Sequence, residues 1–73
     1  MTPTRQIDVR GLSCPEPVLR TGDELRALGA GRLEVLLDPG TAHDNVVRIA
    51  ERAGWRVAEQ AQAGDGLRVV LEK

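Results

Sequence analysis

The sequence predicts a two-layer α/β fold in which a four-stranded mixed sheet carries two helices on one face, in the order β-α-β-α-β-β. Two short segments of alternating apolar and polar residues are each followed by a stretch with helical spacing. Two further alternating segments, separated by a glycine-rich turn, end the chain. Short helical crossovers favour right-handed, parallel pairing of the first two strands. A chain of 73 residues predicts one small domain over residues 1–73.

The first strand and the first helix are predicted on either side of the only cysteine. Ile7 and Val9 alternate with polar neighbours, as in a strand with one solvated face. Proline is tolerated in the first turn of a helix and poorly further in, so the helix is predicted to start at Pro15, with Cys14 as its N-cap. Its predicted apolar face consists of Val18, Leu19, Gly22, Leu25 and Leu28.

The second strand and the second helix follow the glycines that end the first helix. Leu33, Val35 and Leu37 alternate with their neighbours and predict a half-buried strand. Thr41 and Asp44 have the spacing of a capping box, which makes Thr41 the expected N-cap of the second helix. Gly54 is the expected C-cap of this helix.

The remaining elements are a third and a fourth strand joined by a hairpin. Trp55 is predicted to begin the third strand and to cover the end of the second helix. Ala63-Gly64-Asp65-Gly66 predicts the hairpin turn. Leu67, Val69 and Leu71 mark the fourth strand, and the sheet face away from the helices is expected to remain solvated.

Composition excludes several classes of function. The 10 basic and 11 acidic residues give a net charge of −1, and this balance, with a single aromatic residue, argues against a nucleic-acid-binding surface. The sequence has no apolar run of membrane-spanning length and no signal peptide at its start, so we expect a protein that is not membrane-embedded. A single cysteine fits a reducing cytoplasm, and Cys14 with His43 provides too few ligands for a metal site.

Cys14 is the candidate nucleophile because it lies at a strand–helix junction, outside both apolar faces. The alternative is a buried structural cysteine. Pro17 stands where a resolving cysteine would be, which excludes Cys-x-x-Cys redox chemistry. Glu16 offers an amide N–H to the sulfur, but its carboxylate opposes a thiolate, and Arg10 or Arg20 would compensate.

Three further residues are candidates at the same edge of the sheet, where both helices begin. His43 is the sole candidate base, and the alternative is an exposed residue in the first helical turn. Asp38 and Asp44 are expected to be turn and capping residues, with a second possibility that they orient a partner.

The segment Gly11-Leu12-Ser13-Cys14-Pro15-Glu16-Pro17-Val18-Leu19 resembles the Cys-Pro-x-Pro signature of the TusA/SirA family of sulfur carriers. Similar segments downstream are Leu37-Asp38-Pro39, Asp44-Asn45-Val46 and Ala53-Gly54-Trp55-Arg56-Val57. The resemblance implies a two-layer sandwich whose cysteine, Cys14 here, carries sulfane sulfur as a persulfide, without a separate cofactor. It also implies a sulfur donor, either a cysteine desulfurase or a rhodanese-like protein, and a protein acceptor. The motif residues Gly11, Pro15, Glu16 and Pro17 would support the carrier cysteine.

The chain departs from the family pattern after the motif. Thr21-Gly22-Asp23-Glu24 replaces the basic cluster that members often carry, which weakens docking through a positive helix face. The alternative functions are a regulatory or adaptor module that carries no sulfur, and a companion of a transporter for thiosulfate or another sulfur compound.

Overall fold

A computed structural model describes residues 4–13 and 15–73 and confirms the predicted fold class and element order. The strands are β1 (Thr4–Asp8), β2 (Arg32–Leu37), β3 (Arg56–Ala63) and β4 (Gly66–Glu72), and the helices are α1 (Glu16–Leu28) and α2 (Thr41–Arg52). The sheet order is β1-β2-β4-β3. β1 pairs with β2 in parallel, whereas β4 is antiparallel to both β2 and β3. Neither helix is long and apolar enough to cross a membrane.

The core lies between the sheet and the two helices. Alternate residues of β2 are buried, as predicted, because successive side chains of a strand point to opposite faces. The buried apolar cluster comprises Val9, Leu25, Leu33, Val35, Leu37, Val46, Ala50, Trp55, Val69 and Leu71. Trp55 directly precedes β3 and is 3% exposed, and its amide donates to the Ala50 carbonyl oxygen at 2.9 Å. It therefore closes the end of α2 against the core.

The predicted apolar face of α1 was wrong at Leu19. The buried residues of α1 are Pro17, Thr21 and Leu25, which are four residues apart and therefore share one side of the helix. Leu19 lies about half a turn away from them and is 53% exposed. The apolar type of a residue does not by itself determine which side of the helix packs on the sheet.

The predicted capping box of α2 was also wrong. Gly40 is the N-cap, because its carbonyl oxygen accepts the first intrahelical bond, from the Asp44 amide at 3.1 Å. Thr41 is consequently the first helical residue, and the N-cap has no side-chain hydrogen bond. A capping box needs a hydroxyl at the N-cap, and glycine has none. Thr41 and Asp44 have the right spacing for a capping box, but they lie one residue further into the helix than the motif requires.

Ion pairs cover the sheet face away from the helices. Arg68 contacts Glu34 at 2.7 Å and Glu59 at 3.3 Å, and Arg32 contacts Glu59 at 3.7 Å. Glu34 and Glu59 also flank Val70 in the strand register, and Val70 is fully buried although it points away from the helices. The long side chains thus exclude solvent from the centre of this face.

The two edges of the sheet are β1 and β3. The pairing of β3 with β4 shifts register between Val57 and Glu59, so Ala58 forms a bulge in an otherwise regular ladder. The hairpin between them uses Gly64 and Asp65 as its two loop residues, as predicted.

Gly66 allows a close approach at the start of β4. A methyl group there would lie 2.7 Å from the Leu37 carbonyl oxygen and 3.2 Å from Arg10 Cδ. The first contact is with backbone, which cannot rotate away. In the middle of α1, by contrast, a methyl group on Gly22 would meet Ile49 Cδ1 at an ordinary 3.7 Å.

We therefore predict opposite effects of two glycine-to-alanine substitutions, measured by urea unfolding. Gly66→Ala should lower the free energy of unfolding by about 1–3 kcal/mol, as overpacking does. Gly22→Ala should raise it by about 0.5–1 kcal/mol, because alanine is the better helix former. Wild-type stability of Gly66→Ala would contradict the close approach.

Candidate functional site

The connection from β1 to α1 contains the cysteine motif and is anchored at its start. The Val9 amide donates to the Leu36 carbonyl oxygen at 2.8 Å, extending the β1–β2 pairing by one residue. Val9 itself is 1% exposed. Gly11 then adopts a φ of +75°, a conformation that L side chains rarely adopt, and turns the chain toward α1.

Asp38 joins this connection to the one between β2 and α2. Its Oδ2 accepts a hydrogen bond from the Gly11 amide at 2.9 Å, although the two residues are 27 positions apart. The predicted turn residue is therefore also a support for the motif loop. An ionised acceptor makes such a bond stronger than one between neutral groups.

Helix α1 begins one residue later than predicted. Pro15 is the N-cap, since its carbonyl oxygen accepts the Leu19 amide at 3.0 Å, and Glu16 is the first helical residue. Cys14, the predicted N-cap, lies outside the described residues. The Glu16 amide donates to the Ser13 carbonyl oxygen at 2.9 Å, so this amide is not free for the cysteine sulfur as the sequence suggested.

The two candidate tuning arginines are both paired with carboxylates. Arg20 Nε lies 3.5 Å from Glu16 Oε2, one helical turn apart. Arg10 binds Asp8 through two nitrogens, Nε at 3.0 Å and Nη2 at 2.8 Å, and its amide donates to the same carboxylate. These hydrogen bonds from Arg10 lower the pKa of Asp8 from 3.8 to about 2 and raise the pKa of Arg10 above its usual value. Each of the two arginines is thus already paired with a carboxylate of this chain.

His43 is directed to the opposite side of α2 from the motif loop. Its Nε2 lies 2.8 Å from Gln60 Oε1 on β3, and its Nδ1 lies 3.3 Å from Asp44 Oδ1. The side chain is about one-fifth exposed. His43 therefore connects α2 to β3 in this structure. Asp44, next to it in sequence, is exposed.

A cavity of about 280 Å³ lies between the first turns of the two helices. Its walls are formed by Leu12, Pro17, Val18, Pro39, Thr41, Ala42 and Asn45. The shared sheet edge predicted from the sequence thus brings the motif loop next to α2, through Thr41 and Asn45 and not through His43. The helical spacing from Thr41 to Asn45 was the available signal for this face.

The fold and this edge define a class of small α/β proteins with one cysteine at a strand–helix junction. The family described as Sulfurtransferase TusA matches residues 5–73. The chain belongs to this family, as its motif predicted.

Individual relatives agree over nearly their full length. A Methanocaldococcus jannaschii protein named a candidate sulfur carrier protein is 37% identical over 70 residues, covering 94% of this chain and 93% of that protein. The sulfur carrier protein TusA of Allochromatium vinosum is 28% identical over 71 residues, covering 94% and 92%. The crystal structure of a SirA-like protein from Desulfitobacterium hafniense matches with a TM-score of 0.82 and 30% identity, over 93% of this chain and 95% of that one.

The bond between Gly11 and Asp38 generates a prediction for amide exchange. Asp38→Ala removes the acceptor, so the Gly11 amide should exchange with solvent at least several-fold faster by NMR, with a stability loss of about 1 kcal/mol or less. Asp38→Asn keeps a carbonyl acceptor and should retain most of the protection. Equal exchange in the wild type and the alanine variant would show that the bond does not hold the loop.

The contact between Arg10 and Asp8 generates a prediction for pH dependence. The folded-state pKa of Asp8 is depressed, so the pair stabilises the fold above pH 3.8 and loses its effect as the pH falls to about 2. The Asp8 carboxyl carbon should titrate near pH 2 in the wild type and at a higher pH, toward 3.8, in Arg10→Gln, which keeps the backbone hydrogen bond from residue 10. A wild-type midpoint near 3.8 would mean that Arg10 does not hold the carboxylate.

Proposed function

We propose that the protein is a sulfur carrier, which accepts sulfane sulfur as a persulfide on Cys14 and passes it to a partner protein. The observation that carries this proposal is the Cys-Pro-x-Pro motif between β1 and α1, in a chain that belongs to the TusA family. Relatives named as sulfur carriers support the same role.

The proposed loading step is a thiol–persulfide exchange. The Cys14 thiolate attacks the outer sulfur of a donor persulfide, a new sulfur–sulfur bond forms at Cys14, and the donor leaves as a thiolate. The reverse exchange with an acceptor thiol releases the sulfur. Neither step needs an outside oxidant or reductant, because the oxidation level of the transferred sulfur is conserved.

The described residues around the motif suit a carrier more than an independent enzyme. Catalysis by this chain alone would need a base and donors aimed at the reacting atoms. His43, the one candidate base, contacts β3, and the Glu16 amide is bonded to Ser13. What the structure provides is a firmly held loop, in which Val9 and Gly11 are fixed to the neighbouring strand and to Asp38. The partner would supply the remaining catalytic groups.

A cysteine desulfurase or a rhodanese-like protein is the proposed donor class. Both carry sulfur on a cysteine, so each can take part in the exchange just described. The acceptor is a protein thiol of a pathway that consumes sulfane sulfur, such as tRNA thiolation, cofactor biosynthesis or sulfur oxidation.

Intact mass spectrometry tests the proposal directly. Incubation with a cysteine desulfurase and cysteine, with a rhodanese and thiosulfate, or with inorganic polysulfide should add the mass of one sulfur atom to the wild type. A reductant should remove the added mass. Cys14→Ser should not gain this mass, and its unfolding transition should match that of the wild type, which shows that the variant is folded.

Two outcomes would contradict the carrier function. The first is a wild type that gains no sulfur from any of the three reagents, which would favour an adaptor module. The second is a Cys14→Ser variant that still relays sulfur to an acceptor, which would exclude Cys14 as the carrier residue.

A further inference from the structure

An apolar groove of about 420 Å³ runs between α1 and α2 on the surface of the helix layer. It is lined by Val18, Leu19, Gly22, Leu25, Arg26, Gly29, Ile49, Ala53, Trp55 and Lys73. Leu19 stands at its rim and is 53% exposed, the largest exposure of a bulky apolar side chain in the described part of the chain. An apolar side chain from another protein could insert into this groove and contact Leu19 at its rim.

Gly22 lines this groove, and because it has no side chain it leaves the space between the helices open. A methyl group at this position would make ordinary contacts, at 3.6 Å to Arg26 Nη1 and 3.7 Å to Ile49 Cδ1, so the packing of α1 against α2 does not require glycine. Glycine inside a helix is unfavourable relative to alanine. The lack of a side chain at Gly22 therefore favours an open groove at the expense of the helix.

The charges around the groove favour an acidic partner. Lys73 Nζ donates to the Ala53 carbonyl oxygen at 3.0 Å, which is a neutral acceptor. Arg26 also lines the groove, but it is paired with Asp23. The side chains that line the groove include no carboxylate, so the Lys73 ammonium would attract a carboxylate beside the inserted apolar side chain.

The groove is also continuous with the motif edge. Val18 lines both the groove and the cavity between the helix starts, which Leu12 and Pro17 of the motif also line. A protein that reaches Cys14 from this edge therefore lies beside the groove.

We propose that the groove between α1 and α2 docks the sulfur-donor protein, through an apolar side chain with a neighbouring carboxylate. This inference rests on the proposed carrier function. Loading requires the Cys14 sulfur to act as the nucleophile, and Arg10 and Arg20, the two arginines that the sequence suggested for its activation, are already paired with carboxylates. Docking would aid this nucleophile because it holds the two sulfurs together at a high effective concentration. This requirement favours the donor over the acceptor.

The test compares a protein donor with a reagent that needs no docking. Wild-type protein and variants are loaded either by a cysteine desulfurase with cysteine and a rhodanese with thiosulfate, or by inorganic polysulfide. Leu19→Asp places a charge at the rim, and Gly22→Leu fills the groove while improving helix propensity. Ala27→Asp is the matched control, because Ala27 is an exposed residue of α1 that does not line the groove.

Both groove variants should lose about tenfold or more in the rate of loading by the protein donor, as hot-spot residues do. Ala27→Asp should stay within about twofold of the wild type, like most surface substitutions. All four proteins should load with polysulfide at the same rate. Lys73→Met should weaken the salt dependence of protein-mediated loading, because it removes an attracting charge.

Three results would overturn the inference while leaving the carrier function intact. In the first, a protein donor loads both groove variants as fast as the wild type. In the second, the groove variants load normally but are slow to release sulfur to an acceptor. In the third, polysulfide loads the wild type and neither protein donor does. Failure of polysulfide and of both protein donors to load the wild type would instead reject the carrier function itself.

Discussion

Parallel pairing of β1 with β2 is the constraint on which the rest of the structure depends. It places the carboxyl ends of both strands at one edge of the sheet, so both following helices begin there. The motif loop and the loop before α2 consequently meet, and Gly11 can bond to Asp38 across 27 positions of sequence. The same arrangement lays the helices side by side, which creates the groove between them.

The motif edge combines a rigid backbone with modest electrostatics. Loop geometry is set by backbone bonds from Val9 and Gly11 and by the two prolines that flank Glu16. The nearby charges are balanced within the chain, by Arg10 with Asp8 and by Arg20 with Glu16. Under the proposed carrier function, a site of this kind leaves the choice of reaction to the protein that approaches it. The bonds that already hold Val9 and Gly11 would reduce the entropy lost when the two proteins associate.

The sequence predicted the elements and their order because these follow from local patterns. Alternation in β2, the two prolines at the start of α1 and the two-residue hairpin loop at Gly64 are all visible within a few residues. The differences at Leu19 and Val70 arose where distant parts of the chain decide which side chains are buried. Whether Thr21 or Leu19 packs inward depends on how α1 lies on the sheet, and the burial of Val70 depends on arginines from other strands.

The candidate site likewise has features that local sequence predicted and features that depend on tertiary contacts. The motif and the family were recognisable from consecutive residues, and the shared edge followed from topology. The bond between Gly11 and Asp38, the orientation of His43 toward Gln60, and the cavity wall at Asn45 are tertiary contacts that no short segment contains. Asp8 is an intermediate case, since its spacing from Arg10 was visible but the turn that brings them together was not.

The bulge at Ala58 has a consequence for self-association of the folded chain. β3 is an edge strand, and an unpaired edge is a template onto which another polypeptide can add. A bulge twists the strand and interrupts the regular ladder, and the charged Arg56 and Glu59 lie on either side of it. An incoming strand would find only a short uninterrupted stretch and would have to desolvate charges to continue. This edge therefore resists the fibril-like stacking of one chain on another.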